Sequence, residues 1–287
     1  MGSPMTQTTT ASRAGTVNFG DIEVNRLGFG AMRITGDGVW GPPEDRDEAI
    51  RVLRRAVELD VQLIDTADSY GPEVSEQLIA EALHPYPEGV VIATKGGLER
   101  TGPGQWPRNG RPEHLREACE GSLRRLRVDQ IELYQLHSPD DEVPYEESIG
   151  ALVELKEEGK IARIGVSNVN ADELATARGL TEVVSVQNRF NLSDRSNEDV
   201  LETCTDDGLA FLPWFPLGSG NPAEVASEIA EDRGVNAHQV AIAWLLARSP
   251  AIAPIPGTSS ADHLEENVAA AELELSNEEL ERLSDAA

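Results

Sequence analysis

The feature that most restricts how this chain can fold is an alternation. Short apolar runs recur at 26–30 (RLGFG), 61–65 (VQLID), 90–94 (VVIAT), 131–136 (IELYQL), 162–167 (ARIGVS), 183–187 (VVSVQ), 209–213 (LAFLP) and 251–255 (AIAPI). Segments of helical period separate them at 45–59, 73–83, 112–126, 145–158, 171–178, 195–206, 222–233 and 237–248. The runs are continuously apolar rather than alternating, which suits parallel strands covered on both faces. Eight such strands interleaved with helices predict one closed (β/α)8 TIM barrel. A doubly wound open sheet would need a G-x-G-x-x-G turn leading straight into a helix, and LGFGAMRITGDG does not supply it.

Punctuation supports this reading. TVNF-GD-IEVN predicts an N-terminal β-hairpin that turns at Gly20-Asp21. Asn170 and Asn236 are helix-start signals, and Gly159 and Gly208 are helix-stop signals. No linker or low-complexity tract divides the chain, so residues 1–287 are expected to form a single domain. Met1–Pro4, ahead of a second methionine at Met5, read as an expression-tag remnant and are set aside.

Charge narrows the partners. There are 51 Asp plus Glu against 24 Lys plus Arg, for a formal net charge of −27. Such a surface repels nucleic acid and anionic membrane, and no run of about 18 apolar residues is present to span a bilayer. Lysine is nearly eliminated: Lys95, Lys156 and Lys160 are all there is. Acid-rich, lysine-poor surfaces are those of salt-accumulating halophiles, where molar salt screens self-repulsion. A compositional bias of the genome would leave the same trace. Cys119 and Cys204 lack metal-ligand spacing and are expected as free thiols in a reducing, cytoplasmic setting. No heptad or broad apolar face argues for association, so a monomer is expected.

Chemistry in a (β/α)8 barrel lies at the C-terminal ends of the strands. Read in order, those positions hold Asp65, Lys95, His137, Ser167-Asn168, Gln187, Trp214 and Gly257-Thr258. Individually each has an ordinary explanation: Asp65 as a helix cap, Lys95 as a snorkelling surface lysine, His137 and Tyr70 as packing residues. Collectively they make a circle of polar ends around one mouth. Lys95 also survives in a chain that otherwise prefers arginine, which points to a task for a compact ammonium beside a phenol. The acidic run Asp140, Asp141 and Glu142 reads as solvated loop.

LGFGAMR, DTADSYG, ATK, LYQLH, IGVSN, VQNRFN and IPGTSSADHLEEN, in this order and at these intervals, resemble the aldo-keto reductase family over almost the whole chain. The resemblance implies reduction of aldehydes and ketones by NADP(H), with NAD(H) as the lesser expectation, and a catalytic tetrad of Asp65, Tyr70, Lys95 and His137. Tyr70 would be the proton donor, Lys95 would lower its pKa toward the working range, Asp65 would anchor Lys95, and His137 would orient the carbonyl. It further implies cofactor contacts at Gly30, Met32, Ser167, Asn168, Gln187, Trp214, Leu217, Gly257, Thr258, His263, Glu266 and Asn267. Of these, Trp214 would stack on the nicotinamide, while Glu266 and Asn267 would meet the adenine. Many relatives carry cations where this chain has Gly257 and His263, so the 2′-phosphate would fall to hydroxyls and to backbone N–H groups at a helix start. Trp40, Trp106 and Phe215, with Met32, are candidates for an apolar substrate wall. Two other readings use the same residues: a nicotinamide-binding, redox-sensing regulatory subunit, and a lyase or isomerase forming a Schiff base on Lys95.

Overall fold

The computed structural model describes residues 9–216 and 224–285; Met1–Pro4, Leu217 and the first two residues of the 222–233 segment lie outside the described residues. The chain opens with the expected hairpin. Strands β1 (Thr16–Phe19) and β2 (Ile22–Asn25) pair antiparallel with Phe19 opposite Ile22. Gly20, at φ +67°, provides the left-handed turn between them. Val17, Phe19 and Val24 are buried against the barrel-interior side chains Leu63, Val184 and Leu212. The hairpin is therefore a plug under the N-terminal end of the barrel.

Seven parallel strands follow in sequence order around the sheet: β3 (Phe29–Gly30), β4 (Leu63–Asp65), β5 (Val91–Gly96), β6 (Ile131–Leu136), β7 (Ile161–Ser167), β8 (Val183–Gln187) and β9 (Ala210–Phe211). The eighth run closes the ring, but not as a regular ladder. On one side Phe211 N–H donates to the Ala251 carbonyl and Ala253 N–H donates to the Phe211 carbonyl, both at 2.8 Å. On the other, Gly28 and Gly30 donate to the carbonyls of Pro254 (2.9 Å) and Pro256 (3.4 Å). Proline has no N–H to give back, so this seam is bonded in one direction only. That is why the 251–255 run is a closing segment rather than a full strand. Its neighbours, expected over 26–30 and 209–213, shorten to two residues each.

The helices are α1 (Arg46–Glu58), α2 (Val74–Leu83), α3 (Pro112–Leu126), α4 (Tyr145–Glu157), α5 (Ala171–Leu180), α6 (Glu198–Asp207), α7 (Glu224–Arg233), α8 (Ala237–Arg248), α9 (Ala261–Ala269) and α10 (Asn277–Asp285). Asn170 and Asn236 head α5 and α8 with complete capping boxes, their partners being Glu173 and Gln239. Helix α6 begins at Glu198 rather than 195, because the Asp194 carboxylate accepts the Ser196 N–H at 3.2 Å and fixes a turn first. Helix α9 escapes the apolar period because buried Asn267 interrupts the stripe of Ala261, Leu264 and Val268. Cys119 and Cys204 are free and buried on α3 and α6, and burial pushes both thiols up to about 12.

Candidate active site

The C-terminal strand ends surround a cavity of about 640 Å3. At its floor Lys95, on β5, is wholly buried and held by neighbouring β4. Its Nζ donates to Asp65 Oδ2 at 2.7 Å, to the Thr66 carbonyl at 2.8 Å and to Tyr70 Oη at 3.4 Å. Asp65 is pinned from its other oxygen, Oδ1, which accepts from Gln187 Nε2 at 2.7 Å and from Gln135 Nε2 at 3.3 Å. Three strands thus fix one carboxylate, which fixes one ammonium beside one phenol. Only a lysine's compact head satisfies these three acceptors from inside a barrel wall.

Burial changes the electrostatics expected of the pair. Desolvation raises the Tyr70 pKa above the ordinary phenol value, and the Lys95 charge pulls against it without overcoming it. The expected net lowering of the phenol is therefore not found in this state. For Lys95, desolvation favours the neutral amine, but Asp65 and Tyr70 outweigh it and leave the pKa raised. Lys95 is thus a charged, enclosed ammonium, which is the wrong state for Schiff-base chemistry.

His137 follows β6, and its backbone N–H donates to the Gly96 carbonyl at 2.8 Å. Burial, with the Lys95 charge second, holds its pKa well below the ordinary histidine value. It is a neutral imidazole, with Nδ1 buried and unpartnered. Its ring meets Tyr70 edge-on, with centroids 5.9 Å apart. Asn168 sits at φ +58°, a conformation asparagine tolerates better than most residues. Its Nδ2 donates to the His137 carbonyl at 2.9 Å, and its Oδ1 accepts from Trp214 Nε1 at 2.9 Å. Ser167 Oγ donates to the Gln187 carbonyl at 2.6 Å. The expected carboxamide clamp of Ser167, Asn168 and Gln187 is therefore knitted to itself and to the tetrad.

The cavity lining gathers Gly30, Met32, Asp65, Tyr70, Trp106, His137, Ser167, Asn168, Gln187, Trp214, Phe215, Gly257 and Thr258. Trp40, His263, Glu266 and Asn267 are not among the described lining residues. Trp40 stands outside against Arg100, Glu266 accepts from Asn236 Nδ2 at 3.1 Å, and Asn267 is buried in the inner face of α9. The acidic run also differs from expectation. Asp141 and Glu142 pair with Arg108 and Arg111 at the surface, but Asp140 is buried and accepts from the Gly110 and Glu142 N–H groups. Those backbone bonds hold its carboxyl below the usual range.

Sequence reasoning missed Arg33, Leu98 and His238 in the lining, and Arg100 above it. Arg100 lies 3.7 Å from the Trp106 ring centroid and 5.4 Å from that of Trp40. It donates to the carbonyls of Val39 (2.6 Å), Gly38 (3.1 Å), Ser69 (3.1 Å) and Gln105 (3.2 Å). One guanidinium thus ties together three loops, including the one that carries Tyr70. No local motif marks such a residue, because its partners are backbone carbonyls from distant loops.

The phosphate edge is also altered. Ala261 N–H, the first of α9, donates to Glu48 Oε1 at 2.9 Å, and His263 N–H is directed to Ser260 Oγ at 3.4 Å. These N–H groups are already engaged, one of them by a carboxylate, so the helix start offers an anion less than expected. Thr258 Oγ1 accepts from Ser260 N–H at 3.1 Å, which leaves its own proton free to donate.

A buried Asp–Lys–Tyr chain beside a neutral histidine, at the mouth of a parallel barrel, is the equipment of a barrel oxidoreductase. Comparison with known proteins agrees. The model of the aldo/keto reductase family matches residues 26–224 and 221–287. The chain is 51% identical over 278 residues to uncharacterized oxidoreductase C215.11c of Schizosaccharomyces pombe, covering 96% of this chain and 90% of that one. It is 43% identical over 277 residues to pyridoxine 4-dehydrogenase of Escherichia coli, covering 93% and 96%. An aldo-keto reductase from Klebsiella pneumoniae, solved in complex with NADPH, superposes with a TM-score of 0.79 at 27% identity, covering 97% of this chain and 95% of that one. The chain belongs to the aldo/keto reductase family and is an NAD(P)H-dependent oxidoreductase.

Proposed function

We propose that this enzyme reduces aldehydes and ketones to alcohols, with NADPH preferred to NADH and Tyr70 as the general acid. The observation that carries this reading is Tyr70 Oη, 3.4 Å from the enclosed Lys95 ammonium and facing the same cavity as His137. A bound nicotinamide supplies the hydride, which no side chain can. The residues fit such a group: Trp214 offers a flat face, and Ser167, Asn168 and Gln187 hold donors and acceptors in a fixed mesh beside it.

The rest follows from the chain's own groups. Tyr70 holds its proton at neutral pH because burial disfavours the phenolate. When the carbonyl oxygen gains charge, the phenol proton moves to it and the phenolate is left beside Lys95, whose charge offsets part of the cost. Asp65 keeps that ammonium charged and in place. His137, being neutral, can donate a hydrogen bond to the same oxygen without competing for the proton. Trp106, Phe215, Met32 and Leu98 supply apolar walls, which favour hydrophobic or aromatic carbonyls. Trp40 and Leu180 are the large apolar side chains exposed among the described residues, which supports a monomer. Two unpaired buried thiols support a reducing, cytoplasmic setting.

The test is oxidation of NADPH and of NADH against a panel of aldehydes and ketones, with Tyr70→Phe alongside. The panel includes pyridoxine's 4-aldehyde, because a relative at 43% identity is a pyridoxine 4-dehydrogenase. Tyr70→Phe is expected to lose roughly 10²–10⁴-fold in kcat while still binding nucleotide. Wild-type turnover in that variant would remove the phenol from the mechanism.

A further inference from the structure

The family resemblance leads one to expect a cation where this chain has Gly257, and the packing there leaves no room for a side chain. Gly257 and Gly30 meet backbone to backbone at the closing seam. A Cβ on Gly257 would lie 2.6 Å from the Gly30 carbonyl oxygen, so no side chain fits there. The next nearest side-chain atom to that point is Arg33 Cγ, at 3.4 Å. The Arg33 stem therefore lies beside Gly257, and Arg33 lines the same cavity as Thr258 and Ser259.

Arg33 is exposed, and among the described residues its side chain makes neither an ion pair nor a hydrogen bond. Arg124 and Arg127, at the end of α3, are likewise without either, but neither lines the cavity. Of the four arginines of α1, Arg46 pairs with Glu81, Arg51 with Glu48 and Arg55 with Glu265, while Arg54 donates to the Ala82 carbonyl at 3.3 Å. Among the described lining residues Arg33 carries the one permanent positive charge. Glu48, itself paired with Arg51, already accepts the first N–H of α9, so a phosphate at this edge finds that donor engaged and needs a cation that is not already paired.

Resting on the reading of an NADPH-preferring enzyme, we propose that Arg33 binds the 2′-phosphate of the cofactor and sets the preference for NADP(H) over NAD(H). The cation comes from the loop after β3 rather than from the segment after the eighth strand position. The Thr258 hydroxyl, with its proton free, donates to the same phosphate.

The experiment is calorimetric titration of 2′,5′-ADP and of 5′-AMP into the wild type, Arg33→Gln and Arg33→Lys, with folding checked by circular dichroism. Arg33→Gln is expected to weaken 2′,5′-ADP by roughly 10- to 100-fold, the loss of one charge-assisted contact, and to leave 5′-AMP unchanged. Arg33→Lys should recover part of the loss, because it restores charge but not the fork. In kinetics the KM ratio of NADPH to NADH should rise by a similar factor. Equal weakening of both nucleotides would place Arg33 elsewhere along the cofactor, and unchanged affinities would remove it altogether; either result overturns the inference. A wild type active with NADPH whose discrimination survives Arg33→Gln overturns this inference alone. A wild type that binds neither nucleotide overturns the proposed function with it.

Discussion

Asp68 and Tyr70 stand two residues apart in one turn, and burial raises the pKa of both, to different ends. For Tyr70 the result is a proton held until the carbonyl oxygen needs it. For Asp68 it is a strain on the fold: desolvation first, then the charge of Glu76, push its carboxyl well above the ordinary value, and its Oδ1 has no partner. Because the folded chain holds this proton more tightly than the unfolded chain, the native state is favoured most at acid pH. That advantage is lost as pH rises from the ordinary carboxylate range through the folded pKa. Asp68→Asn removes the titration at nearly constant shape. Its Tm is expected to exceed that of the wild type by a few degrees at about pH 8, and by little at about pH 4. A pH-independent difference in thermal unfolding would trace the effect to packing instead. Asp65, Lys95 and His137 could be placed on one barrel mouth because they stand at or just after strand ends, whereas Tyr70, in the loop beyond β4, was named through the family resemblance. The direction of the Tyr70 shift was not legible, because desolvation depends on what covers the ring, and no motif records that.

At the level of elements, strand ends fix the chemistry and loops shape the entrance. Arg100 shows how few residues organise those loops: its guanidinium lies between two tryptophans and bridges the segment after β3 to the one after β4. Arg100→Ala should loosen the Trp106 wall and raise the KM for the carbonyl on the order of tenfold, with a smaller change for NADPH. Arg100→Lys should behave more like the alanine than the wild type, since an ammonium cannot fork to Val39 and Ser69 or stack flat on indole. Steady-state kinetics of the three forms decides this, and an unmoved carbonyl KM would sink it. Capped helices such as α5 and α8 were readable because a capping box is a local code. The closing segment was read as a strand because its apolar run is real. Pro254 and Pro256 break its ladder on one side only, which the run itself cannot show.

For the whole molecule the dominant fact is unbalanced charge. Surface pairs such as Arg178–Asp207 and Arg163–Asp21 use much of the available arginine, yet the net charge remains −27. Each exposed pair contributes little by itself, and the remaining carboxylates repel one another over distances that salt shortens. Thermal unfolding in dilute buffer and in molar KCl is expected to show a Tm several degrees higher in salt. Identical curves would mean that the acids are spread widely enough to be harmless. The barrel itself was legible from periodicity, since eight apolar runs interleaved with helices leave few alternatives. The plug was legible only as a hairpin; that it lies under the barrel depends on Phe19 and Val24 meeting side chains from distant strands.

That plug also closes one end of the barrel. With Phe19 and Val24 sealing the base, nothing passes through the barrel from below. Visitors share the upper entrance, beneath Trp106 and beside Phe215. A group held along Ser167 and Gln187 therefore shares one cavity with whatever sits beside Trp106.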